Sequence, residues 1–257
     1  MQIIINDKIF NITPEIYSIE SIIVFGSYVR GDNTIHSDID FLVIVDNCSY
    51  IDKIQKKLSI AKEMDIPFSW ISIYTTNEIY NLCLYGDNFL WSVKLEGIIL
   101  YSRSNFFEYC LYNLRIYTNM ANDISNNFKK LANIKHNFLH TIDTNSSAIK
   151  RLGYIIRNTL TILSYTFGVI SFNKYEVFDI CESIPNFSLP FSKDDYIKLL
   201  DIKSGLKDNT LDINTIPDCD EYIVFWIKKA YELLNISYNE VRVLTSMGFT
   251  SPLMTYV

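Results

Sequence analysis

Residues 38–45, Asp-Ile-Asp-Phe-Leu-Val-Ile-Val, constrain the fold of this chain more than any other stretch. Two carboxylates enter an otherwise apolar run at a spacing of two. Side chains alternate along an extended strand, so Asp38, Asp40, Leu42 and Ile44 fall on one face. Carboxylates set beside Phe41, Leu42 and Val43 are costly unless a cation neutralises them. The run therefore asks for a strand that carries a charged site, and the rest of the sequence has to supply what the charge is for.

A second apolar run, residues 21–25, precedes it and ends in Gly26-Ser27. A glycine-serine turn after a strand presents backbone N–H groups and a hydroxyl that cradle phosphate oxygens. Two aspartates at i, i+2 on a neighbouring strand are close enough to share a divalent metal. Together they form a holder for a metal–triphosphate. The chemistry that fits is in-line attack on a nucleotide's α-phosphate by an acceptor hydroxyl, with metal on the attacking and the departing oxygens.

Around this stretch the first hundred residues alternate strand-like and helix-like segments. Thr13-Pro14 reads as an N-cap with proline at the first helical position. Residues 49–64 carry an apolar stripe (Ile51, Ile54, Leu58, Ala61) and form an amphipathic helix. Residues 67–74 and 97–102 read as strands, and 77–85 and 88–95 as short helices between them. Beyond Arg103 helical patterns dominate, over 105–132, 146–167, 174–183, 193–200 and 220–244, separated by Pro, Asn and Ser clusters. The expected class is α+β: a small mixed-sheet domain over residues 1–103, followed by an all-α helical bundle over 104–257.

The 49% of apolar residues suffices for packed cores in both halves. The net charge of −6 leaves no basic excess of the kind a general nucleic-acid binder uses, so nucleic acid is disfavoured as a partner. Cys48, Cys83, Cys110, Cys181 and Cys219 are scattered and odd in number, as reduced thiols in a cytoplasmic protein are. The N-terminal segment MQIIINDKIFNI has no signal-peptide pattern. The most apolar helix candidate contains Arg157 and Asn158, too polar for a membrane span. The expectation is a cytoplasmic protein without a membrane partner.

Gly26-Ser27, ten intervening residues and Asp38-Ile39-Asp40 resemble the motif of the DNA polymerase β-like nucleotidyltransferase superfamily. The fuller stretch GSYVRGDNTIHSDIDFLV looks like its minimal nucleotidyltransferase branch, with Arg30, Gly31 and Ser37 in matching places. GDNFLWSVKLEGIILYS resembles the segment that closes such domains, and the likeness spans residues 15–103. The later helices resemble, more weakly, the bundles of the kanamycin nucleotidyltransferase type and HEPN-like partners.

The resemblance implies transfer of a nucleoside monophosphate, AMP from ATP, to a hydroxyl of a small-molecule or protein acceptor, with Mg²⁺ or Mn²⁺ and release of pyrophosphate. It implies metal binding by Asp38 and Asp40, phosphate binding by Gly26 and Ser27 with help from Arg30, and a strand cap or phosphate contact at Ser37. It places the acceptor between the two domains, and leaves room for a homo-oligomer or a partner protein.

The family adds a third carboxylate on a neighbouring strand, often as general base. Here the matching place falls at Ser69 or Ser72, and neither is acidic. Asp65, Glu78 and Glu96 are the substitutes within sequence reach. A catalytically weakened nucleotide-binding regulator, or an antitoxin-like partner protein, is therefore the alternative. In the helical half no histidine follows His140, which excludes the Arg–His ribonuclease pattern of HEPN proteins. His136 and His140 share a helix face without further metal ligands nearby. Lys150, Arg151 and Arg157 read as a solvated face, and the aromatics (Tyr112, Tyr117, Tyr154, Tyr165, Phe167, Tyr222, Phe225, Trp226) as core. Asp194, Asp195, Asp218, Asp220 and Glu221 read as helix-start carboxylates.

Overall fold

A computed structural model describes residues 1–5, 8–31, 33, 38–140 and 144–246. The chain forms two compact units, Met1–Tyr117 and Thr118–Val257. The protein is α+β, a small mixed sheet with helices followed by a helical region.

The first unit opens with a two-stranded hairpin, β1 (Gln2–Ile5) and β2 (Lys8–Asn11), that the sequence reading did not anticipate. Its signal is an apolar run on either side of Asn6-Asp7, a turn-type pair. Thr13 and Pro14 then start a 3₁₀ turn, Pro14–Tyr17, as a short proline-initiated helix. The Thr13 hydroxyl does not cap that turn; it donates to Glu63 at 2.9 Å.

The main sheet contains β3 (Ile19–Phe25), β4 (Asp40–Val45), β5 (Ile71–Thr75) and β6 (Ile98–Ser102) in the order β5-β4-β3-β6. β3 is antiparallel to β4 and β6, and β4 is parallel to β5. Between them lie α1 (Ser27–Arg30), α2 (Tyr50–Met64), α3 (Thr76–Tyr85) and α4 (Asn88–Glu96). The parallel β4–β5 pair requires a crossover, and α2 supplies it.

Two expected strand limits move. Residues 38 and 39 precede the ladder, which begins at Asp40. The expected strand at 67–74 is a 3₁₀ turn, Phe68–Trp70, before β5, because Pro67 fixes its own φ at −57° and sets off the turn.

Alternation along the central strands feeds two cores. Ile22, Val24, Phe41, Val43, Ile71 and Ile73 pack with Ile60, Ala61 and Met64 of α2, and with Phe10 of the hairpin. Phe10 meets Phe41 edge to face at 5.5 Å. On the other side Phe89 of α4 stacks on Tyr74 and abuts Phe25. Burying these apolar side chains is worth about 1.5–3 kcal/mol each for a fully covered Val, Leu, Ile or Phe. The caps fit the sequence: Ser49 for α2, a Thr75–Glu78 capping box for α3 and Asp87 for α4.

After β6, Arg103 closes the strand ends together. It donates from Nε to Glu20 at 3.0 Å and from Nη1 to Asp46 at 3.0 Å, and Glu20 is buried. The helix expected over 105–132 is broken in two, α5 (Phe106–Tyr112) and α6 (Met120–Leu139). Residues 113–119 leave the helix because Arg115 is tied elsewhere. Its N–H donates to the Cys83 carbonyl at 3.2 Å, and its carbonyl accepts from Trp91 Nε1 at 3.0 Å.

The second unit is helical: α6, α7 (Asn145–Thr166), α8 (Glu176–Glu182), α9 (Lys193–Lys207) and α10 (Cys219–Ser246). α7 packs against the other four, and every residue from 159 to 166 in it is buried. Its hydroxyls are satisfied by its own backbone. Thr159 donates to the Ile155 carbonyl at 2.7 Å and Thr166 to Ile162 at 2.9 Å. Phe178, Phe191, Tyr196 and Trp226 form an aromatic cluster beside it. Of the aromatics expected in the core, Tyr112 is 87% exposed, Tyr154 52% and Phe225 39%, so those three lie at the surface. Asp194, Asp195, Asp220 and Glu221 stand in first helical turns, where carboxylates answer the helix dipole. No described helix is long and apolar enough to cross a membrane.

Candidate functional site

Strand β3 ends at Phe25, whose register partner is Asp40, the first residue of β4. The turn that follows β3 is therefore delivered beside the acidic end of β4. Gly26 has φ +81°, and its carbonyl accepts from the Val29 and Arg30 N–H groups at 3.1 Å each, winding Ser27–Arg30 into the single turn α1. Gly31 ends the turn with φ +77°.

A Cβ at position 26 would lie 2.4 Å from Asp40 Oδ2. Only glycine leaves room for that carboxylate against the turn, and only glycine takes this φ without strain. The two halves of the motif are thus in contact, although ten residues separate them in sequence.

Asp38 and Asp40 are half-buried, and Ile39 between them is fully buried, so burial alternates across the three positions. Asp38 Oδ1 accepts a hydrogen bond from Trp70 Nε1 at 3.0 Å. Trp70 directly precedes Ile71, the register partner of Phe41, just as Asp40 directly precedes Phe41. The indole is also approached by Lys8 of β2, whose Nζ lies 5.5 Å from the Trp70 ring and 5.8 Å from the ring of Tyr28, the residue after Ser27. Sequence reasoning missed both Lys8 and Trp70. Trp70 looked like one more strand residue, and only strand pairing reveals what it touches.

Arg30 is drawn into an ion pair. Its Nη1 lies 2.6 Å from Glu96 Oε2, and both side chains are more than four-fifths buried. Glu96, considered as a substitute carboxylate, is thus the counter-ion of the motif arginine. Ser37 lies outside the described residues.

Register separates the two places expected for a third acid. Ser72 pairs with Leu42, one step along the face from Asp40, while Ser69 sits in the 3₁₀ turn before the strand. Asp65 is the left-handed cap at the far end of α2. Glu78 closes the capping box of α3 and pairs with Lys53. Burial opposes its charged form, but the Lys53 ammonium and the Thr75 N–H hold its pKa below the usual carboxylate range. Among the described residues no group of three or more His, Cys, Asp and Glu side chains is arranged to hold a metal ion. A donor set of two carboxylates fits a cation that arrives with phosphate oxygens of its own.

The second unit contains a cluster of the opposite sign. Arg157 is half-buried and donates from Nη2 to the Phe172 carbonyl at 2.9 Å, so it does not belong to a solvated face. Lys203 of α9 crosses α7 at Gly153, where a Cβ would meet its Cδ at 2.9 Å. Burial first, then the charges of Arg157, Lys207 and Lys174, depress the Lys203 pKa to about 8. His136 and His140 lie ring to ring at 4.4 Å.

Residues 7–73 match the family model described as "Nucleotidyltransferase domain". The matched segment runs from β2 into β5 and contains the Gly-Ser turn, both aspartates and Trp70. This match supports the resemblance of the N-terminal part of the chain to the DNA polymerase β-like nucleotidyltransferase superfamily. No curated protein matches the chain.

Among solved structures, the chain is similar to spectinomycin adenyltransferase from Enterococcus faecialis with ATP and spectinomycin. The identity is 15% over 83% of this chain and 92% of that one, with a TM-score of 0.48. It is also similar to a chain from a toxin-antitoxin structure with AMP-PNP, at 21% identity over 38% of this chain and 72% of that one, with a TM-score of 0.28.

Proposed function

We propose that this protein transfers a nucleoside monophosphate, AMP from ATP, to a hydroxyl group of a small-molecule or protein acceptor. The observation that carries the reading is the contact geometry of Gly26 and Asp40. The turn suited to phosphate and a carboxylate suited to a cation adjoin, and the residue at the junction has no side chain. In this reading Gly26 and Ser27 take the β- and γ-phosphates through backbone N–H groups and the Ser27 hydroxyl. Arg30, neutralised by Glu96, braces the turn from behind and contributes less charge to the phosphates than the motif alone suggests.

Asp38 and Asp40 hold the divalent cation, Mg²⁺ or Mn²⁺, that accompanies the triphosphate. When bound, that cation draws charge from the phosphates and from the attacking oxygen. The acceptor oxygen bonds to the α-phosphorus as the bond to pyrophosphate breaks, and the hydroxyl proton passes to water. Missing a positioned base commonly lowers a rate by about 10²–10⁴-fold, so slow turnover is expected.

The lack of a third carboxylate among the described residues favours a second reading, a nucleotide-binding regulator or antitoxin-like partner protein. One experiment separates the two. The protein is incubated with each α-labelled NTP and Mg²⁺ or Mn²⁺, beside the Asp38→Ala/Asp40→Ala variant. Label transferred to protein or small acceptors, with pyrophosphate released and both lost in the variant, supports the transferase. Metal-dependent binding without release supports the regulator. Absence of nucleotide binding rejects both.

A further inference from the structure

We propose, resting on the reading above, that Trp70 is the positioning residue of Asp38. It directly precedes β5 and, by its indole N–H, holds Asp38 in the orientation that meets the cation accompanying a bound nucleotide. Two observations converge on it. Trp70 Nε1 lies 3.0 Å from Asp38 Oδ1. The parallel register sets Trp70 at the step before Ile71, as Asp40 is at the step before Phe41.

An indole donor on one carboxylate oxygen fixes the rotation of the Asp38 side chain, so that the carboxylate meets the cation of a metal–nucleotide without first having to be ordered. Trp70 is itself fixed. Its ring packs against the core under the sheet, and the Lys8 ammonium lies 5.5 Å from it. A cation at that distance from an aromatic face is attracted to it, which resists rotation of the indole.

The test uses the full chain and ATP as the probe. Trp70→Phe keeps an aromatic ring in the core and removes only the donor. ATP affinity is measured with Mg²⁺ and again in a chelator, for the wild type and the variant. The expected result is a loss of about tenfold in the presence of Mg²⁺, as for a lost hydrogen bond to a charged group, and little change without it.

A purely structural role would weaken both conditions alike. The indole N–H resonances give an independent readout. The one absent in Trp70→Phe should move in Asp38→Ala, and again when Mg²⁺ and ATP are added to the wild type. Equal affinity of variant and wild type in Mg²⁺, equal weakening with and without it, or an indole resonance indifferent to Asp38→Ala overturns the proposal. A wild type that binds no ATP in either condition overturns the transferase reading and this one together. A wild type that binds normally beside an unaffected Trp70→Phe overturns this one alone.

Discussion

Gly26 and Gly31 flank the same turn with nearly the same backbone angle, φ +81° and +77°, yet they differ in what surrounds them. A Cβ at Gly26 collides with the Asp40 carboxylate, whereas one at Gly31 meets nothing within 4 Å. Gly31→Ala should therefore cost only the backbone strain of a left-handed alanine, about 1 kcal/mol, and leave ATP binding intact. Gly26→Ala should lose about 2–4 kcal/mol, because it adds displacement of a half-buried carboxylate, and should abolish ATP binding. Thermal unfolding and ATP titration of the two variants check this, and equal behaviour would refute it. At this scale the sequence is partly legible. Glycine, serine and the paired aspartates stand out because their residue types are costly or strained elsewhere. Trp70 does not, because an aromatic in a strand has an ordinary explanation in packing, and its N–H partner depends on which strands pair.

Elements were legible where local chemistry dictates them. The start of α9 follows from Ser192 and Asp195, whose capping box the sequence displays. The split between α5 and α6 was not legible, since residues 105–132 look helical throughout and the break is imposed by Arg115 bonding to Cys83 and Trp91, distant in sequence. The α7–α9 contact is another case, because nothing local predicts that Lys203 is pressed against Gly153 and surrounded by Arg157, Lys174 and Lys207. Below about pH 8 both folded and unfolded chains carry the Lys203 proton, so the cost of the crowded ammonium is fully present. Between about 8 and the ordinary lysine value of 10.5 the folded chain has lost the proton and the unfolded chain keeps it, so this group makes stability rise with pH. Lys203→Met should raise stability at pH 7 by about 1–3 kcal/mol and remove that rise. Denaturant unfolding from pH 7 to 10.5 is read as the difference between the two proteins. That difference cancels the buried thiols of Cys110 and Cys181, which are pushed up to about 12 and pull the opposite way above pH 9. A constant difference across the range would refute the assignment.

For the molecule as a whole, the question is where the N-terminal unit ends. The sequence pattern suggests residue 103, since helical patterns replace the alternation of strands and helices beyond it. The contacts extend further. α5 packs on α3 and β3, its Phe107 and Cys110 are fully buried, and the Cys110 carbonyl accepts the Cys83 thiol at 2.9 Å. The Arg115 carbonyl also caps Trp91, and Gly86 has no room for a Cβ because the carbonyls of residues 115 and 116 lie against it. A chain cut at 103 would uncover the apolar face that α5 protects and leave the Trp91 N–H without its acceptor. Each large buried side chain lost costs about 1.5–3 kcal/mol, a large share of the 5–15 kcal/mol that holds a typical domain together. We therefore expect a fragment of residues 1–117 to unfold cooperatively, and a fragment of residues 1–103 to aggregate or melt without a sharp transition. Circular dichroism melts of the two fragments decide it. A cooperative transition in the shorter one would show that the sheet, the Arg103 ion pairs and α2 to α4 suffice, and would place the end of the unit where the sequence pattern puts it.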